Sequence, residues 1–203
     1  KSISIDAALV VNAAGRIPSI DELDLELGRV AFSKKGISIN RYLQSTTNQS
    51  VYACGDVSNS EGLPLSPLTS LEAKIVSANL LNPNKPEKVG YPPQASAVFT
   101  LPNLAMVGLL EEEAKEQGFD FTVKQNKVPS WFNAKRVNES FYAFKTLVDN
   151  KTGLILGAHL LSPEASEVIN IFTLAMTEKI PAKNLKNLIF AYPTWGNDIK
   201  GMV

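Results

Sequence analysis

Cysteine and histidine are nearly missing from this sequence: one of each in 203 residues. A lone Cys54 excludes an internal disulfide framework and a Cys-rich zinc site, and a lone His159 excludes a histidine-based metal cluster. This usage fits a reducing cytoplasm. Neither charge sign is in excess, since Lys+Arg and Asp+Glu each number 20. With no basic run or stripe there is no electrostatic footprint for nucleic acid. No apolar run approaches the roughly 20 residues that span a bilayer, so no membrane partner is expected. The chain opens KSISIDAALVVNAAG, without an initiator Met or a signal-peptide pattern. It enters apolar runs at once, as a piece of a longer protein does.

What is present can build a core: 44% of residues are apolar and 20% charged. The length allows one large domain or two small ones. SISID and ALVVNA are β-rich runs, the second nearly continuous in apolar residues, as buried parallel strands are. KKGISIN and SVYAC read as further strands, the latter ending at Gly55-Asp56. In LPLSPLTSLEAKIVSANLLNP, Ser66 suits an N-cap and Pro67 the first helical position. Leu68, Leu71, Ile75 and Val76 recur at helical spacing. NPNKPEKVGYPPQ is dense in turn formers and marks a domain boundary.

The second half changes character. ASAVFT, LAMVGL, FDFTVKQNKV, FYAFKTLVD and GLILGAHLL are strand candidates, the last two joined by the turn Asp149–Gly153. EEEAKEQ reads as a short helix stopped by Gly118. Ala165, Val168, Ile169, Phe172, Ala175 and Met176 form the apolar face of a longer one, closed by Pro181. Strands adjacent in sequence predict a largely antiparallel sheet in an α+β domain.

The strongest local motif is STTNQSVYACGDV, an apolar run delivering Gly-Asp at its end. In open α/β sheets ligands bind at the carboxyl ends of strands. Gly55 permits close approach to backbone, and Asp56 offers an anionic acceptor for hydroxyls. Alone, the pair is more often a plain turn.

The surrounding residues carry more. AAGRIPS, then T-x-x-x-h-Y-A-x-G-D-V, then an L-S/T-P helix start resemble the second flavin motif of the pyridine nucleotide–disulfide oxidoreductases, the family of glutathione reductase and dihydrolipoamide dehydrogenase. VFTLPNLAMVGLLEEEAKEQG resembles the opening of that family's interface domain, and TGLILGAHLLSPEASEVIN its G-x-I-L-G-x-H segment. FAYPTWGND takes the place of its closing H-P-T-x-x-E. The resemblance spans the whole chain in the family's order. No GxGxxG occurs here, and Cys54 has no second cysteine to pair with.

The resemblance implies an α/β end of FAD- and NAD(P)-binding Rossmann-like domains, followed by an α+β interface domain. It places the last part of an NAD(P) domain at 1–15, the second half of an FAD domain at 16–88 and the interface domain at 89–203. It implies FAD, NAD(P)H in the intact protein, and a homodimer through the C-terminal domain. Asp56 is similar to the carboxylate that binds the ribityl chain, and Gly55 to the close-approach glycine. Ser66, Pro67 and Leu68 resemble the helix start at the pyrimidine edge, whose partial positive charge favours reduced flavin. His159 falls where the family keeps a non-catalytic histidine, and Cys54 reads as a core residue.

The family's closing His is an acid/base oriented by a Glu. Those positions hold Tyr192 and Asn197, while Pro193 and Thr194 match and Asp198 is the nearest carboxylate. A phenol is a donor at neutral pH rather than a ready base. Two expectations follow: an FAD-dependent NAD(P)H oxidoreductase with altered chemistry at Tyr192, or a non-catalytic dimerisation module with a vestigial flavin half-site. In the second, Tyr192 and Trp195 only pack at the subunit interface.

Overall fold

The apolar residues divide between two cores. The computed structural model describes residues 3–203, and the chain separates into two compact units meeting at Gly90 and Tyr91.

The first unit is held by a small cluster of Ile20, Val30, Ile37 and Ala53, with Leu25, Ile39, Val51 and Val57 against it. Its regular sheet is a short antiparallel ribbon, β1 (Phe32–Ser33) with β2 (Gly36–Ile37). Among the described residues, parallel pairing in this unit occurs only as a bridge from Ile37 to Ser58. The longest element is helix α1 (Ser66–Leu81).

The strand expectations fail here for one physical reason. SISID and ALVVNA form no strand among the described residues. Ile3, Ile5, Leu9, Val10 and Val11 stand 77–85% exposed. A buried parallel strand needs a strand to pair with and cover on both faces, and no described strand of this chain pairs with these runs. SVYAC likewise keeps one bridge, Gln44 to Tyr52, rather than a strand. Ser66 is the first helical residue and not the cap; Leu65 takes the cap position with no side-chain hydrogen bond. The buried side of α1 carries Leu68, Glu72 and Asn79, while Leu71, Ile75 and Val76 are half-buried. Polar anchoring overrides the apolar pattern there: the Asn79 amide donates to the Tyr42 and Glu87 carbonyls, and its oxygen accepts from the Glu87 N–H at 2.6 Å.

The second unit follows the pattern of its sequence. Strands β3 (Ala95–Val98), β4 (Asn103–Gly108), β5 (Phe121–Lys127), β6 (Ala143–Asp149) and β7 (Ile155–Ser162) form one sheet in the order β3-β4-β7-β6-β5. Every neighbouring pair is antiparallel. Helix α2 (Glu111–Glu116) follows β4, and α3 (Phe132–Arg136) follows β5. The β6–β7 turn is set by Asp149, whose carboxylate accepts from the Thr152 hydroxyl and from the Lys151 and Thr152 amides. Gly153 completes it at φ +71°.

Alternation along the strands turns Ala105, Val107, Phe144, Ala158 and Leu160 toward the core. Helix α4 (Ala165–Thr177) covers them with Val168, Ile169, Phe172 and Ala175, all buried. Helices α5 (Ala182–Asn187) and α6 (Trp195–Met202) complete that layer, contributing Leu185, Ile199 and Met202. The unit is a helix-covered antiparallel sheet, as the sequence pattern predicts.

Candidate functional site

In the first unit, Gly55–Val57 form a single 3-10 turn beside a cleft of about 630 Å³. Asp56, Leu68, Thr69 and Glu72 line it, with Arg16 and the pair Lys34 and Lys35. Asp56 stands half-exposed, and the Arg16 guanidinium lies 3.5 Å from its carboxylate. Arg16 is itself 90% exposed, so water competes for the pair and it contributes little. The Asp56 carboxylate therefore remains available as an acceptor. Ser66 and Pro67 are exposed at the uncapped start of α1, and Leu68 is buried beneath them. The fold thus brings Gly55, Asp56 and Leu68 to one cleft, with Ser66 and Pro67 leading into α1.

Gly55 has a reason internal to the chain as well. Its φ is +69°, and a Cβ there would lie 2.8 Å from Thr69 Cγ2. Only glycine adopts this conformation readily and lets α1 approach. Its N–H donates to Glu72 Oε2 at 2.6 Å. Glu72 and Asn79 were not singled out from the sequence. The signal was there: polar residues seven apart inside a helix, on the side that packs. The basic rim also went unremarked, because Arg16 and the two lysines are distant in sequence.

Burial raises the Cys54 thiol above its ordinary pKa, and the Glu72 carboxylate adds to this. Cys54 is accordingly a protonated, partly buried thiol at neutral pH. In the second unit His159 donates from Nε2 to the Leu109 carbonyl at 3.1 Å. Burial lowers its pKa, and that hydrogen bond opposes the shift in part. It is a neutral, structurally bonded histidine.

The closing segment is a capped helix. Thr194 Oγ1 accepts from the Asn197 N–H at 3.2 Å and starts α6. Trp195 packs edge-on against Tyr142, with centroids 5.2 Å apart, inside its own unit. Tyr192 is 71% exposed and touches Phe132, centroids 6.0 Å apart. Asp198 points inward. It accepts from the Tyr142 hydroxyl at 3.0 Å and from the Asn133 amide at 3.1 Å. Burial raises its pKa, and these two donors counter the rise. Tyr142 is pushed above its usual range, first by burial and then by the Asp198 charge. Asp198 is thus committed to anchoring α6. Among the described residues no group of three or more His, Cys, Asp or Glu could hold a metal. No helix among them is long and apolar enough to cross a membrane.

Comparison with known proteins agrees with this layout. A family model described as pyridine nucleotide-disulphide oxidoreductase, dimerisation domain, matches residues 94–203. A second, described as pyridine nucleotide-disulphide oxidoreductase, matches residues 1–78. An uncharacterized 19.7 kDa protein in the mercuric resistance operon of Staphylococcus aureus is 48% identical over 181 residues, covering 89% of this chain and 100% of that one. The probable pyridine nucleotide-disulfide oxidoreductase RclA of Escherichia coli is 30% identical over 98% of this chain and 44% of its own. Mercuric reductase of Staphylococcus aureus is 33% identical over 97% of this chain and 35% of its own. The chain therefore spans less than half the length of these two enzymes. The solved structure of RclA, an HOCl-induced flavoprotein disulfide reductase, superposes with a TM-score of 0.80 at 29% identity, covering 94% of this chain and 43% of that one. The helix-covered antiparallel sheet at 94–203 is a dimerisation domain that follows the end of an FAD/NAD domain, and the chain belongs to the pyridine nucleotide–disulphide oxidoreductase family.

Proposed function

We propose that this chain is the C-terminal part of an FAD-dependent NAD(P)H oxidoreductase, and that it supplies half of the flavin site and the dimerisation surface. The observation that carries this reading is the cleft at Gly55-Asp56, with one available carboxylate and a basic rim of Arg16, Lys34 and Lys35. A carboxylate accepts from hydroxyls, and guanidinium and ammonium groups suit phosphates. Ribityl hydroxyls and a pyrophosphate are both parts of FAD, so these residues fit it. Bound flavin would supply electron transfer between a reduced nicotinamide and an acceptor. The chain's own part is binding and orientation. Asp56 holds the ribityl chain, Gly55 allows close approach, and the α1 start at Ser66, Pro67 and Leu68 faces the pyrimidine edge.

In the same reading Tyr192 and Asn197 replace the acid/base histidine and its orienting glutamate. Asp198 does not take over, because Tyr142 and Asn133 hold it inward. Exposed Tyr192 is then a hydrogen-bond donor lining the pocket for an acceptor other than a protein disulfide, such as oxygen, a quinone or a small electrophile. The dimerisation unit supports a homodimer: Phe99, Leu101, Phe141, Ile189 and Tyr192 are 67–100% exposed, apolar surface that a partner would cover.

The test is to purify the protein as its gene encodes it. A yellow protein that oxidises NADH or NADPH, and that loses flavin on Asp56→Ala, is the expected result. A protein that stays colourless after refolding with FAD would sink the reading. That outcome would favour the second one, a stand-alone dimerisation module with a vestigial flavin half-site. Its support is the 19.7 kDa relative, matched over 100% of its own length.

A further inference from the structure

Glu72 is the least expected residue of the cleft. It is 2% exposed, lies on the buried side of α1, and reaches 17 residues back to the Gly55 N–H at 2.6 Å. A buried carboxylate is expensive unless it is bonded. A left-handed residue opening a tight turn leaves an N–H that no neighbouring strand takes up here. The two problems solve each other, through a charge-assisted bond. The next residue in the chain is Asp56. Thr69, one turn earlier on α1, meets the position a Gly55 Cβ would occupy, so helix and turn are locked at two adjacent points.

We infer that Glu72 is a positioning residue: its bond to the Gly55 N–H fixes the turn that presents Asp56 to the cleft. The inference rests on the flavin reading only for what Asp56 then binds. Glu72 acts through Gly55 and does not itself need to touch a ligand. Glutamine can still accept from the N–H, whereas alanine cannot, so the two substitutions separate acceptance from charge.

The experiment compares the protein as its gene encodes it with its Glu72→Gln, Glu72→Ala and Asp56→Ala variants by amide hydrogen exchange at Gly55 and FAD titration. Glu72→Ala should speed Gly55 exchange by about tenfold or more, the worth of one charge-assisted bond, and Glu72→Gln should restore most of the protection. If Glu72→Ala does not fold, Gly55 exchange in Glu72→Gln still reads the contact, a few-fold above the parent because a neutral acceptor bonds more weakly than a charged one. Unchanged Gly55 exchange in Glu72→Ala, or in Glu72→Gln where the alanine variant does not fold, overturns the inference. If FAD binding falls in Asp56→Ala but not in Glu72→Ala, the positioning role is overturned while the flavin reading stands. If Gly55 exchange responds as expected and the gene-encoded protein gives no FAD titration that Asp56→Ala weakens, the contact stands and the flavin reading fails.

Discussion

The anchoring of α6 can be tested by a double-mutant cycle at Tyr142 and Asp198. Tyr142 is 2% exposed and Asn133 1% exposed, and both donate to Asp198 Oδ2. The Asn133 carbonyl oxygen is already buried without a hydrogen-bond partner. Asp198→Ala strands two buried donors, each at roughly 1–3 kcal/mol. Against this, the carboxylate no longer suffers the burial that raises its pKa. The net expected loss is about 2–4 kcal/mol. Tyr142→Phe keeps the ring, its packing on Trp195 and Trp131, and removes one bond to a charged group, for about 1.5–3 kcal/mol. Because the two changes share one bond, the double variant should be more stable than the sum by about 1–2 kcal/mol. Urea unfolding at constant m gives all four corners. A coupling under about 0.5 kcal/mol would refute the claim that this hydrogen bond anchors the closing helix. The pH dependence has a definite sign. With its folded pKa raised, Asp198 favours the native state below the usual carboxylate range. That contribution is lost as pH rises from 3.8 through the raised value. Asp198→Asn should remove this slope. Tyr142→Phe should extend it to higher pH, since the lost hydroxyl had favoured the carboxylate.

Gly55→Ala should lower stability by about 1–3 kcal/mol in urea unfolding, from a left-handed backbone and the contact with Thr69; a loss under 0.5 kcal/mol would mean that α1 does not press on the turn. Thr194→Ala should cost about 1 kcal/mol by removing the α6 cap, and Thr194→Ser should recover most of it. His159 has a depressed folded pKa, so its contribution is present above 6.5 and lost as pH falls through the depressed value; the urea midpoint should drop on acidification over that range, and less so in His159→Gln. Asp56→Ala should release flavin from the gene-encoded protein, while the flavin-free variant and the flavin-free parent should agree in unfolding free energy within about 0.5 kcal/mol, because the side chain is half-exposed.

How much could be read in advance differs between the units. The antiparallel sheet and α4 are written in short-range alternation and helical spacing. Ile155, Ala158 and Leu160 face Val168, Ile169 and Phe172 as the pattern predicts, because each strand pairs with another strand of the same unit. In the first unit the same kind of evidence misled. The runs SISID, ALVVNA and SVYAC have strand composition, yet a strand is a pairing and not a composition.

The candidate site divides along the same line. Gly55 and Asp56 were legible as a motif, and Tyr192 and Asn197 as departures from one, because each lies in a contiguous stretch whose chemistry is local. Contacts made across the chain were not legible. Glu72 meets Gly55 across 17 residues, Arg16 meets Asp56 across 40 residues, and Asp198 meets Tyr142 across 56 residues. A carboxylate in a sequence is a charge with no direction. Only the packing of α1 made Glu72 a clamp on a backbone amide, and only the docking of α6 turned Asp198 inward and left Tyr192 at the surface.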